Sequence, residues 1–489
     1  MQYRFQSPQF FLLLLLIFWL PVPLGSNRPW AWAILEIWSF GLVMLWLLSS
    51  NWQQIKTRLA PYRFFLLALT IFTAWQGLQC IPLPQGLLAV LSNTSLHLQL
   101  QAASVEQPDV VNAWFTLSLD ANQTLIMFVK SCAYLGLACL IFWHIDSLLK
   151  LRQLLAVMIL AGLLQAVYGT YSLFTDPEFS WFFSTKTNEN ATGSFVYRNH
   201  FANFIVLTAS LVLGWLLAMI LKSARNSSRQ RFFQQFLSGY VSGKFTLRLI
   251  LACMVIALVL SHSRMGNSAF FISLTLTLCV CVFIYRKKNP ALKRSIVILL
   301  FSVLAIDALI LGSWFGIEKV KQRIENTSLV TESRDNVAID SIDLVLDFPL
   351  TGAGAGAFYT VYPSVQQQGV NGFYDHAHND YLQFVIEYGV PASALMAAIV
   401  WLSLWYGLQA ALYRKRSFIQ GVALGSGMAI FAMLIHISVD FNLQSPSNTV
   451  YFIIVLCIAW IVRFGLIPAS NKQFITTQEP QKSTVGVNC

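Results

Sequence analysis

Apolar residues run in unbroken blocks, and blocks of roughly 17 to 25 are long enough to cross a hydrocarbon core as helices. Such blocks recur along the whole chain. They predict spans over 10–20, 30–48, 64–80, 125–143, 153–174, 201–221, 246–260, 268–285, 295–315, 392–410, 421–437 and 449–466, about twelve in all. A β-barrel would show short alternating segments instead. The expectation is therefore an all-α polytopic membrane protein. Arg4 followed by Phe10–Leu20 has the look of a signal peptide, but Pro21, Val22 and Pro23 come next and no small-x-small cleavage site follows. A retained first helix is expected.

Two polar interruptions are long. The first, about 81–124, holds no Lys or Arg and is rich in Gln, Asn and Ser, which reads as a solvated cover. The second, about 316–390, has internal order. From Ser333 to Asp347, Val337, Ala338, Ile342, Val345 and Leu346 recur at helical spacing against Asp335, Asp340, Asp343 and Asp347, and Pro349 ends the run. This predicts an amphipathic helix lying on the membrane or the bundle. The TGAGAGAF stretch after it, Thr351–Phe358, is either a plain turn or a cradle of amides for phosphate oxygens. The expected division is residues 1–315 for the first nine spans, 316–390 for the large outer loop, 391–468 for the last three spans and 469–489 for a polar tail.

Composition agrees with a membrane chain: 56% of the 489 residues are hydrophobic and 11% are charged, against about a quarter charged in soluble domains. The net charge of +11 does not imply nucleic acid, because the basic residues sit in short loops between apolar runs. With both termini in the cytoplasm, 23 of the 32 Lys and Arg fall on the inner side, as the positive-inside rule requires. The eight cysteines show no CxxC pair and read as small hydrophobes.

The densest chemistry closes the second loop. Asp375–Gly389, DHAHNDYLQFVIEYG, packs two of the chain's seven histidines into adjacent alternate positions. His376 and His378 share a face only if the segment is extended. His376, His378 and Asp380 have the spacing of a metal motif, yet His97, His144, His200, His262 and His436 are scattered in sequence. Acid–base work is the alternative: an imidazole accepts a proton from a sugar hydroxyl near neutral pH, oriented by Asp375, Asp380 or Glu387. A third reading has a histidine merely capping the helix that begins near Asn379. Three arginines are expected on the same side: Arg264 in SHSRMG, Arg334 at the start of the amphipathic helix, and Arg198 in GSFVYRNHFAN beside Asn199 and His200. Arginine binds phosphate bidentately with a permanent charge, so the three together suggest an anionic, diphosphate ligand.

His378 and Asn379 followed by Gly389, in a large loop between late spans, resemble the signature of the O-antigen ligase and O-antigen polymerase superfamily, which includes bacterial O-linked oligosaccharyltransferases. SRDNVAIDSIDLVLDFPLTGAGAGAF, SHSRMG and YRNHFAN are similar to further stretches of that family. Ala392 departs from it, standing where members often carry glycine. The resemblance implies a GT-C-like architecture in the bacterial inner membrane. It also implies a metal-independent, inverting glycosyltransferase that needs no cofactor and works at the periplasmic face. The donor would be a glycan on undecaprenyl diphosphate and the acceptor a lipid or glycan, as in lipopolysaccharide or exopolysaccharide assembly. His378 would be the base and Arg264 and Arg334 the diphosphate ligands, with Asn379, His376, Arg198, His200, Asp375 and Asp380 in support. Transfer to protein, or a lipid-linked oligosaccharide flippase, are the alternatives. A flippase uses charges at mid-membrane, and the candidates Glu36, Lys130 and Asp307 form no evident pattern in sequence.

Overall fold

The structure, a computed structural model, describes residues 8–106, 114–175, 190–225, 243–285, 297–298, 301, 305, 333–367, 370 and 372–466. Its first group of helices is α1 (Pro8–Trp19), α2 (Pro29–Ser49), α3 (Trp52–Leu59), α4 (Arg63–Gln79), α5 (Gln85–Leu91) and α6 (Asn93–Glu106). Next come α7 (Ala121–His144), α8 (Leu148–Thr175), α9 (Arg198–Arg225), α10 (Gly243–Leu260) and α11 (Arg264–Tyr285). The second loop holds the short α12 (Ser333–Asp340), α13 (Ile342–Asp347) and α14 (Phe358–Val361). The chain closes with α15 (Asp380–Tyr413), α16 (Ser417–His436) and α17 (Pro446–Phe464).

Among the described residues, nine helices are long and apolar enough to span a membrane: α2, α7 to α11 and α15 to α17. The protein is a multi-pass helical membrane protein. The blocks at 10–20 and 64–80 form α1 and α4, of 12 and 17 residues. The block at 295–315, with Asp307, lies almost wholly outside the described residues.

α9 is buried along nearly its whole length and forms the axis of the bundle. Small residues let α16 approach it. A Cβ on Gly421 would stand 2.4 Å from the Gly214 carbonyl oxygen, and one on Gly425 would stand 2.6 Å from that of Ser210. With no side chains between them the backbones touch, the packing that small-xxx-small stripes give in membranes.

The helices alternate in direction, which sorts the chemistry to two ends. At one end Asp146 holds Arg58 at 2.8 Å and Lys150 at 3.1 Å, and Arg414 donates to the carbonyls of Gly465 and Leu466. At the other end lie the starts of α9, α11, α15 and α17 together with the second loop. α11 finishes at the basic end, where the Tyr285 hydroxyl donates to the Ala411 carbonyl at 3.4 Å.

The loops are more structured than their composition suggests. The stretch 81–124 contains α5 and α6, and its return braces the glycine turn: Leu119 N donates to the Ala353 carbonyl at 2.9 Å, and the Tyr359 hydroxyl bonds the Asp120 carboxylate. The single amphipathic helix expected over Ser333–Asp347 is two helices with Ser341 between them. That break shifts the phase. Val337, Leu344 and Phe348 are buried, whereas Ile342 and Leu346 point outward, and Asp340 turns inward to accept from Tyr362 and Gln367.

Candidate active site

Residues 375–379 are neither helical nor a regular strand. The next residue starts α15, and Asn379 caps it, its side chain accepting from Leu382 N at 3.2 Å. The cap is thus the asparagine, not a histidine. His378 sits at φ 51°, in the left-handed region, a strained setting for a side chain of this kind that tends to accompany function.

Both histidines pack on the ring of Phe441, from the loop between α16 and α17. His376 stacks at 4.5 Å and His378 meets it edge-on at 4.9 Å. His200, from the first turn of α9, meets the same ring at 4.9 Å. His200 and His436, scattered in sequence, are therefore gathered here: the His436 Nε2 lies 3.9 Å from the Asp440 carboxylate in the same loop. Among the described residues, no group of three His, Cys, Asp or Glu side chains is arranged to hold a metal ion. Phe441 has no polar signature, and nothing in its neighbourhood on the chain marks it.

Of the three carboxylates expected to orient an imidazole, one serves a different end. Asp380 does not reach the imidazoles. Its carboxylate accepts from Leu443 N at 2.9 Å and Gln444 at 3.3 Å, and its own N–H is shared between the carbonyls of Ile437 and Asp440. It latches the Phe441 loop to the start of α15. Glu387 is fully buried and acts through Gln383, whose Nε2 donates to the Glu387 carboxylate at 2.8 Å and to His376 Nδ1 at 3.1 Å. An amide nitrogen only donates, so His376 carries its own proton on Nε2, the atom 3.9 Å from Asp375. Burial holds the His376 imidazole below its usual range, against the opposing pull of the Asp375 carboxylate.

The glycine turn is not an open cradle. The amides of Ala353 and Gly354 donate to the carbonyls of Ile386 and Glu387, and that of Ala355 donates to Gln79. Its amides are spent on α15 and α4, so it fixes the helix that carries Glu387. Gly389 completes the junction at φ 80° and ψ 163°, where a Cβ would stand 2.3 Å from the Leu350 carbonyl oxygen. Ala392 packs at the edge of the Phe72, Ala355 and Tyr388 cluster.

Arg264 opens α11 after a turn of three residues, Ser261 to Ser263, whose hydroxyls serve the backbone: Ser263 accepts from Gly266 N, and Ser261 donates to the Leu258 carbonyl. Arg264 and Arg198 are exposed at the same end of the bundle as the histidines. Arg334 is the second residue of α12, and its side chain lies outside the described atoms. Inside the spans, Glu36 and Lys130 prove to be electrostatic neighbours, with the Lys130 ammonium 3.6 Å from the Trp32 ring centre.

The described helices thus form a membrane-spanning bundle with a polar, histidine-rich cluster at one end. Residues 249–397 match the family model described as O-antigen ligase, which supports the likeness to the O-antigen ligase and polymerase superfamily. The matched stretch contains Arg264, Arg334, both motif histidines and Gly389, but neither His200 nor Phe441. A search among curated proteins found no match.

Proposed function

We propose that the protein is a glycosyltransferase that moves a glycan from undecaprenyl diphosphate to a lipid or glycan acceptor at the outer face of the bacterial inner membrane. Twelve spans, both termini inside and a GT-C-like outer loop over 316–390 belong to this reading. The observation that carries it is the gathering of His376, His378 and His200 on one aromatic ring, at the end of the bundle where Arg264 stands.

Each residue has a role in the transfer. The acceptor oxygen attacks the anomeric carbon as its proton passes to His378. Nδ1 of that ring is buried, and Nε2 is assigned here as the atom that receives the proton. The bond from the anomeric carbon to the diphosphate oxygen breaks with inversion, and the leaving diphosphate is held by Arg264 and Arg334. Diphosphate is a good leaving group, so fixed cations aimed at its developing charge suffice. His376, with its proton on Nε2, hydrogen-bonds the sugar or the acceptor.

Complementation tests the base. In a strain lacking the protein, His378→Ala abolishes the polysaccharide ladder or the capped lipid on a gel while the protein still reaches the membrane; normal glycan from this variant refutes the assignment. The electrostatic proximity of Glu36 and Lys130 gives a flippase some support. Transfer by the purified protein with both substrates on one side of a bilayer separates the two, because a flippase yields none.

A further inference from the structure

At the end of the bundle opposite the histidines, a cavity of about 490 Å³ opens between α8, α9, α10 and α16. Trp215, Met219 and Lys222 line it from one face of α9, being spaced at four and three residues. Lys244 and Phe418 come from the first turns of α10 and α16, and Arg152 from the start of the second turn of α8. The Arg152 guanidinium lies 4.7 Å over the Phe418 ring, and Trp215 meets that ring edge-on at 5.6 Å. Three cations therefore share one concavity, and no carboxylate is among its described lining residues.

Like charges around a common hollow repel, and an anion placed between them relieves that repulsion. Depth narrows the choice of anion. Lys222 lies about 33 Å along α9 from His200 at 1.5 Å per residue, roughly one hydrocarbon thickness away. The cavity therefore opens at a membrane interface, with cations at its rim and two aromatic rings and a thioether as its wall. A free phosphate would use the cations and leave that wall wet. A phosphodiester on a glycerol backbone uses both.

We propose that this cavity binds the headgroup of an anionic glycerophospholipid, its phosphate on Arg152, Lys222 and Lys244 and its glycerol against Trp215 and Phe418. The site is separate from the histidines, and its occupancy does not depend on the transfer reaction. Binding of phosphatidylglycerol to the full chain in neutral detergent, counted by native mass spectrometry, tests it. The Lys222→Gln/Lys244→Gln variant weakens phosphatidylglycerol binding roughly tenfold or more, and Lys222→Gln alone weakens it less. Lys56→Gln/Lys415→Gln, which removes two cations from the same end outside the cavity, leaves it unchanged. An equal loss in that control, phosphatidylcholine binding as tightly as phosphatidylglycerol, or displacement of the lipid by an equal concentration of inorganic phosphate would each overturn the proposal.

Discussion

Phe441 is the residue on which the imidazoles depend for their geometry. An aromatic face packs a ring edge-on or offset, and such a pair contributes about 0.5 to 1.5 kcal/mol beyond area burial; the same face favours a cation above it. In the proposed transfer, where His378 takes a proton, Phe441 would support the imidazolium that forms. Phe441→Leu keeps the apolar volume but loses the π face, and the expected result is a roughly tenfold lower transfer rate, with Phe441→Tyr close to wild type. Equal rates for Leu and Tyr in a purified assay would remove Phe441 from the mechanism. The pH profile is a second readout. His376 has a lowered pKa, so it stays neutral until the pH falls below the ordinary imidazole value of about 6.5. Stability it contributes is present above that value and is lost as the pH falls below it, because the unfolded chain takes up the proton first. Any acid limb of activity owed to His376 therefore lies below about 6.5.

At the scale of elements, the histidine, asparagine and glycine of the motif divide the work. Asn379 starts α15, and Gly389 breaks it between the site-bearing turns and the span, in a backbone region essentially closed to other residues. Gly389→Ala is expected to cost about 1 to 3 kcal/mol in backbone strain, beyond the collision with Leu350. A fall in the thermal unfolding midpoint in detergent and a loss of transfer are the measurements; an unchanged midpoint would show that the junction relaxes freely. The helix start at Asn379 and the stop before Pro349 were legible because caps and proline act locally. The phase of α12 and α13 was not. Apolar residues there face two ways, with Val337 and Leu344 buried in the loop core while Ile339, Ile342, Leu346 and Leu350 are exposed, and a single periodicity cannot show two apolar stripes. The glycine turn stayed open between a plain turn and a cradle for a related reason: the partners of its amides, on α15 and α4, lie far away in sequence.

Across the whole molecule, hydropathy identified the helices, because each span must satisfy its own backbone within the bilayer. It could not show which histidines meet. His200, His376 and Phe441 come from three parts of the chain, and only the alternation of helix directions brings them to one end. The same alternation puts Arg264 there, and this gives the arginines their test. Binding of a lipid diphosphate weakens when Arg264 or Arg334 becomes Ala, and Lys at either position restores it only in part, since an ammonium lacks the bidentate fork. Full activity with both arginines removed would contradict an anion site at this end.

The latch made by Asp380 bears on how the protein comes into being. Synthesis runs from the amino terminus, so every residue of the family match exists once Ala397 has been added, and the motif is then complete as text. Its two rings have nothing to rest on until Phe441 follows, and Asp380 has nothing to grip until Leu443 and Gln444 do. A nonsense codon between those points would leave a message with its whole signature intact and a product with no working face.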